Sequence, residues 1–399
     1  MKMRYYFIIA IISFFIYLIL NYLSISKKQS AFVIVNDMGL GYNLGNSFDS
    51  YAPLKQIQYP DEQITLLGNP IPTKHIIKKI KNNGFKTIRF PVTWSNFIDD
   101  FGKINSEWLF RVKEVVNWIN EYNMYCILNL YHDGKNENWL SNGIVAKEKY
   151  INLWAQIADE FRDYDELLIF ESMNNVKYYV LNNYKYVFDY KLFLNFTQAF
   201  IDTVRNSGAK NKERLLVIAG AANDLEITCT KEYLITKDPY NKFAISINYY
   251  LPFDFTSGEY ENLYSYQDKW GNDAQYDELI TNFDSMKSFF IDKGIPIIIN
   301  EVGVLTEEKK SEESIREFLY TVFSLSTEFK GFMACLWDTS NKTIGNMNFY
   351  NRKTNEWYDE KIRKIISDIS KGKYIKLEEY FIMSSTQTIS TIDNYGDEF

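Results

Sequence analysis

Histidine occurs only twice, as His75 and His132, and cysteine three times, as Cys126, Cys229 and Cys335, in a chain of 399 residues. No Cys-x-x-Cys pair is present, so neither a disulfide framework nor a zinc site is indicated, and no metal or organic cofactor is expected. The cysteines read as small apolar fillers. Excess positive charge is also missing: 44 Lys+Arg against 51 Asp+Glu leave a net charge of −7, which argues against a nucleic-acid partner. With imidazoles so scarce, acid/base chemistry must rest on carboxylates. Aromatic residues do reach 17%, but they accompany an excess of Lys, Asn and Ile that points to coding bias more than to function.

Long apolar runs are confined to the N-terminus. Lys2 and Arg4 precede a nearly continuous apolar stretch from Tyr5 to Leu23, and Lys27 and Lys28 follow it. The run is longer than a signal-peptide core of roughly 7 to 15 residues and close to the ~20 needed to cross a bilayer. Residues 1–29 are therefore expected to be a signal-anchor, with Ser24-Ile25-Ser26 offering a cleavage site if the segment is a signal peptide instead. Either way, the remainder is expected outside the cytoplasm, secreted or held at the membrane by residues 5–23, and as a monomer.

From residue 30 to 370 short apolar runs alternate with amphipathic stretches, and no linker divides them. Eight strands are predicted: 39–45, 87–92, 125–130, 167–173, 214–218, 243–249, 296–300 and 332–337. Between them lie helices such as 73–83, with Ile76, Ile77 and Ile80 on one face and Gly84 as C-cap, and 106–122, capped by Asn105-Ser106. Similar helices are expected after the later strands. Eight strand-helix units over about 330 residues predict a single-domain (β/α)8 TIM barrel with enlarged loops. A dinucleotide fold is disfavoured because Gly-Tyr-Asn-Leu-Gly lacks the Gly-x-Gly-x-x-Gly spacing. Residues 371–399 read as a polar extension without an assigned role.

In such a barrel the active site lies at the C-terminal strand ends. Those ends carry Asn43 and Asn46, Arg89, Tyr131-His132-Asp133, Asn174-Asn175, Asn223-Asp224, Asn248-Tyr249-Tyr250, Asn300-Glu301 and Trp337-Asp338. Glu301 stands out, a carboxylate directly after an apolar strand. A charge there must be paired or used. From local sequence, bridging to Arg89 and catalysis are equally good accounts of it.

The segments GYNLGNSFDS (41–50), LLGNPIPTKHIIKKIKNNGFKTIRFPVTW (66–94), LNLYHDG (128–134), FESMNN (170–175), INYYLPFDFT (247–256), IPIIINEVGV (295–304) and CLWDTS (335–340) resemble, in order, the motifs of glycoside hydrolase family 5, particularly its bacterial-type cellulases. The resemblance runs from about 38 to 365. It implies a retaining endo-acting β-glycosidase barrel for cellulose, mixed-linkage glucan, xyloglucan or mannan. By it, Glu301 matches the nucleophile, Arg89 the arginine that orients it and Tyr250 the tyrosine that hydrogen-bonds it. Asn174 matches the asparagine that binds the sugar 2-hydroxyl, and Trp337 the platform beneath the sugar.

Three positions depart from that pattern. The family's acid/base glutamate follows the asparagine directly, where this chain has Asn175. Its paired histidines become Tyr131-His132, and its His-x-Tyr becomes Asn248-Tyr249-Tyr250. An amide cannot serve as a carboxylic acid near working pH, so a contribution of roughly 100- to 10,000-fold should be lost. Glu171, four residues back on the same strand, should lie about 13 Å deeper and be satisfied inside the barrel. Asp133, Asp254 and Asp338 are the remaining candidates for a relocated donor. The sequence thus predicts a cellulase-like barrel that binds a β-linked polysaccharide or oligosaccharide and is inactive or strongly impaired, with Trp337, Tyr250 and Tyr131 as stacking faces. Two alternatives stay open: an active retaining glycosidase with a relocated proton donor, and a surface scaffold or interaction protein. Whether the run with Tyr178, Tyr179 and Tyr184 closes over the cleft is also open.

Overall fold

The computed structural model describes residues 30–374, apart from 52–56, 135–138, 183, 234, 259–265, 307–308 and 342–345. The expected anchor at 1–29 and the extension beyond 374 lie outside the described residues. Among the described residues no helix is long and apolar enough to cross a membrane.

Eight parallel strands close into a barrel: β1 (Gly41–Leu44), β2 (Thr87–Phe90), β3 (Tyr125–Asn129), β4 (Leu168–Glu171), β5 (Leu216–Ala219), β6 (Phe243–Tyr249), β7 (Ile297–Val302) and β8 (Phe332–Asp338). All eight predicted strands are present, and β1 pairs with both β2 and β8 to close the ring. The outer layer contains α2 (Lys74–Asn82), α3 (Ser106–Glu121), α4 (Lys147–Glu160), α5 (Tyr190–Asn206), α6 (Asp273–Phe289), α7 (Glu312–Glu328) and α8 (Glu360–Ser370), preceded by α1 (Ala31–Asp37). The predicted caps are in place. Thr73 accepts from the Ile76 N–H, Asn105 from the Glu107 and Trp108 N–H groups, and Gly84 has the positive φ that its position past α2 requires.

The expected helix after β5 is reduced to a single turn, Leu225–Thr228. The chain beyond it is held by side chains in place of a helix. The Tyr233 hydroxyl donates to the Ala219 carbonyl, and Asp238 accepts two hydrogen bonds of 2.8 Å from the Arg205 guanidinium on α5. Arg214, predicted to begin β5, lies before it and donates to the carbonyls of Phe161, Tyr164, Asp165 and Leu168. A buried guanidinium thus satisfies backbone acceptors beyond the C-terminal end of α4.

The barrel interior is layered by the alternation of strand side chains. Ile127, Ile169, Val217, Ala244, Ile298, Met333 and Cys335 form a lower apolar cluster. Two residues further along, the same faces carry Asn129, Glu171, Ser246 and Asn300, all fully buried. Gly41 leaves room for this packing, because a Cβ there would meet the Cys335 Sγ at 2.2 Å.

The floor below the apolar layer is α1, which the sequence reading did not assign. Ser30 caps it, and Ala31, Ile34 and Val35 join the interior cluster. Too short for a clear helical period, α1 earns its place by covering the open end of the barrel. Ile34→Ala should therefore cost about 2–5 kcal/mol of folding stability. Chemical denaturation of the full chain measures this, and a loss below ~1 kcal/mol would show that α1 is not part of the core.

Candidate active site

The polar upper layer is assembled around Arg89. Its guanidinium is fully buried and donates to Glu171 from Nε at 2.7 Å and from Nη2 at 3.1 Å, to Asn174 Oδ1 at 2.8 Å, to Asn43 Oδ1 at 3.0 Å and to Glu301 Oε1 at 3.0 Å. Burial alone would favour the neutral form, but the charges of Glu171 and Glu301 more than offset it and raise the Arg89 pKa. Glu171 also accepts from Asn129 at 3.1 Å, Ser246 at 3.2 Å and Asn300 at 2.8 Å. That saturation fits the structural role expected of it.

Glu301, expected directly after a strand ending at Asn300, stands within β7, which continues to Val302. Across from Ile299 and Val302, β8 offers Ala334 and Leu336, and β6 pairs Ile247 with Ile299 but Asn248 with Glu301. One extra residue is thus accommodated in β7 between Ile299 and Glu301, the signature of a β-bulge. Strict alternation would send Glu301 outward if Asn300 faces in. The bulge lets both point inward, Asn300 to Glu171 and Glu301 to Arg89.

The second oxygen of Glu301 accepts from the Tyr250 hydroxyl at 3.1 Å. Burial, and then the Glu301 charge, push the Tyr250 pKa well above its usual value, so this tyrosine remains a donor. Asn174 presents its amide from just beyond β4, 5% exposed and held by Arg89. Asn175 follows with a positive φ of 50°, and its backbone N–H donates to Asn223 Oδ1 at 2.6 Å. Asn223, at the end of β5, is anchored in turn on Ser246 Oγ at 3.1 Å. The backbone at Asn175 is therefore tied to the same network as Arg89.

Trp337 and Tyr131 meet above this layer with ring centroids 5.4 Å apart and planes 6° from parallel. Tyr131 is 6% exposed, so it is not the free stacking face expected of it. Its ring already packs on Trp337, over Arg89 and against the edge of His132. His132 lies partly exposed beside it, with its backbone N–H on Thr93 Oγ1 at 3.3 Å. Asn248 lies next to Glu301 in register, and its buried Oδ1 has no hydrogen-bond donor among the described residues.

Two of the candidate replacement acids are structural. Asp133 is fully buried, bonded to Ser95 Oγ at 2.6 Å, the Trp94 N–H and the Trp139 indole N–H at 3.1 Å. Asp338 is equally buried and accepts from Tyr42, Ser340 and Phe349. Asp254 lies in the first turn of the short helix Phe253–Thr256 and is partly exposed. Sequence reading missed Asp49. This fully buried carboxyl accepts from the Asn46 and Ser47 N–H groups at 3.0 and 2.7 Å, and burial pushes it up to about 6 despite those bonds. Its signal was present in the quoted motif GYNLGNSFDS, as a lone acid among small residues past β1.

The run after Asn175 folds as an antiparallel hairpin of 179–182 with 185–188. Tyr178 is buried, with its hydroxyl on the Leu140 carbonyl, whereas Tyr184 is 99% exposed. Among the described residues no group of His, Cys, Asp and Glu suited to a metal ion occurs.

A (β/α)8 barrel with a buried carboxylate at the end of strand seven, oriented by an arginine and a tyrosine beside an aromatic pair, defines the glycoside-hydrolase class of barrels. Residues 50–343 match the family model for cellulase (glycosyl hydrolase family 5), and the chain belongs to that family. Among curated relatives it is 31% identical to endoglucanase A of Clostridium longisporum over 85% of this chain and 65% of that protein. It is 32% identical to the cellulase/esterase CelE of Acetivibrio thermocellus over 83% of this chain and 39% of that protein, so it spans only part of these relatives' length. Among solved structures, a broad-specificity endoglucanase of subfamily 4 from an uncultured bovine rumen ciliate shares 50% identity, with a TM-score of 0.83, over 87% of this chain and 99% of that one.

Asp49 gives the site a pH signature. Its folded pKa of about 6 exceeds the ordinary value near 3.8, so its protonated form stabilises the native state at low pH. That contribution is lost as pH rises from about 4 through 6 and amounts to about 3 kcal/mol. Asp49→Asn should flatten stability in this window and gain on the parent as pH rises. Urea midpoints across pH 4–7 test it, and parallel curves for the two proteins would refute the assignment.

Proposed function

We propose that this family 5 barrel binds β-glucan-type chains across the mouth formed by β1 to β8 and that hydrolysis is disabled or strongly slowed at the protonation step. The observation that carries this reading is the contrast between the intact Glu301–Arg89–Tyr250–Asn174 constellation and an amide, Asn175, at the acid/base position.

Retaining hydrolysis needs two carboxyl groups, one attacking the anomeric carbon and one giving a proton to the departing oxygen. Glu301 suits the first role. Arg89 and Tyr250 each hold one of its oxygens, which fixes the carboxylate's orientation before attack. For the second role, Asn175 offers only an amide, which donates hydrogen bonds but has no proton to transfer near neutral pH. A glucan whose leaving group is a sugar alkoxide is then retained uncut. A bound chain would rest on Trp337, and the unpartnered Asn248 Oδ1 would accept from a sugar hydroxyl. Against a bare scaffold stand the Tyr250 hydroxyl on the second oxygen of Glu301 and the open acceptor of Asn248 beside it, neither of which the pairing of Arg89 requires.

Asp49 favours a second reading, an active glycosidase with a relocated donor. A carboxyl held at about 6 has the acidity the step wants. Against it, Asp49 is 1% exposed and both its oxygens are engaged by backbone N–H groups. An exported, membrane-tethered monomer is the setting we propose, resting on the apolar run at residues 5–23.

The full chain should release almost no reducing ends from soluble β-glucan, xyloglucan or mannan, while Asn175→Glu should raise release by roughly 100-fold or more. An aryl β-cellobioside whose phenolate leaves without a proton should still glycosylate the parent, and Glu301→Ala should abolish that. Polymer cleavage by the parent that is lost in Asp49→Asn would establish the relocated donor in its place.

A further inference from the structure

We propose that Tyr131 occupies the place on Trp337 that a sugar ring would take, so that the centre of the cleft is closed by the protein's own side chain until Tyr131 moves. The inference rests on the sugar-cleft reading of Trp337 given above. Its basis is the geometry of the two rings.

A sugar stacked between two aromatic faces needs roughly 3.5–4 Å of contact distance on each side, about 7–8 Å in all. The Tyr131 and Trp337 centroids are 5.4 Å apart with planes at 6°, and the distance between the planes is no greater than that. No sugar ring fits between them. On the Trp337 side, Gly45 approaches so closely that a Cβ there would meet Cη2 and Cζ2 of the indole at 3.2 Å. The benzo ring is thus bounded by Gly45 backbone as well as by the Tyr131 ring.

Tyr131 is held in this position from several directions. Its backbone N–H donates to the Val92 carbonyl at 2.9 Å, so opening must come from rotation of the side chain. The Arg89 guanidinium carbon lies 5.6 Å from its ring centroid, a cation–π contact, and His132 packs edge-on at 4.5 Å. Burial, then the neighbouring Glu301 and Asp49 charges, keep the hydroxyl protonated, so the ring remains neutral above Arg89.

A parallel stack of this kind contributes about 0.5–1.5 kcal/mol beyond burial, and a ligand must displace it before using the indole. The side chain is therefore a built-in competitor. A histidine here would present a smaller ring and leave more of Trp337 uncovered. On this account the Tyr131 change is not a neutral accompaniment of the lost acid. It acts on affinity, whereas Asn175 acts on turnover.

Calorimetric titration of cellotetraose into the full chain, with melting temperatures recorded for every variant, tests the occlusion. Tyr131→His and Tyr131→Ala should each bind about tenfold more tightly than the parent. Adding Trp337→Ala to Tyr131→Ala should cancel the gain. Should the alanine variant fold poorly, Tyr131→His carries the same comparison. Equal or weaker binding by folded variants would overturn the occlusion and make Tyr131 part of the sugar floor, leaving the cleft reading intact. A gain that survives removal of Trp337 would overturn it as well. Absence of binding by the parent and every variant would overturn both the occlusion and the sugar-cleft reading.

Discussion

The buried Arg89 guanidinium is the constraint on which the upper half of the barrel depends. It has no exposure to water, and a guanidinium cannot shed its proton in compensation, so the fold must surround it with acceptors. Three strands supply them: Asn43 from β1, Glu171 from β4, with Asn174 just beyond it, and Glu301 from β7. Two carboxylates against one cation leave the cluster with an excess negative charge. The amide donors of Asn129 and Asn300 and the hydroxyls of Ser246 and Tyr250 meet it without adding a second cation. Catalytic orientation and structural satisfaction are thus the same set of bonds. Glu301 thus has a structural reason to be where it is, since removing it would leave part of a buried arginine unpaired.

Position 175 has no comparable hold on its side chain. The backbone there is fixed by Asn223, but no hydrogen bond of the Arg89 network passes through the residue's side chain. Asn tolerates the left-handed φ of 50° better than most residues. An amide at this position is thus structurally mild. The same asymmetry separates the two halves of the site, one built into the core and one attached to its rim.

Much of this was legible in the sequence because strands and amphipathic helices leave periodic marks. Thr73 and Asn105 as caps, the Ile76-Ile77-Ile80 face and all eight strands follow from local pattern. Arg89, Glu301, Tyr250 and Asn174 came from motif resemblance and strand-end position, and the structure brings them into one cluster. What pattern could not supply were features set by closure of the barrel. Helix α1 is only seven residues long and is defined by the cavity it fills. The bulge at Asn300-Glu301 leaves the local sequence an ordinary apolar strand and becomes visible only against β6 and β8. Tyr131 shows the same limit: an aromatic at a strand end reads as an exposed platform until its neighbour across the mouth is known.

The three departures then fall into different physical categories. Asn175 places a side chain without a transferable proton at the rim of the site. Asn248 leaves a buried amide oxygen, unsatisfied among the described residues, next to Glu301, a cost of about 1–3 kcal/mol that an outside donor would relieve. Tyr131 lays its ring parallel to the Trp337 indole, in the place that the proposal above gives to a ligand ring. An unsatisfied acceptor favours a bound hydroxyl, whereas a filled platform opposes a bound ring. On the proposed sugar-cleft reading the two oppose each other in affinity, with the Tyr131 side-chain rotation as the adjustable term.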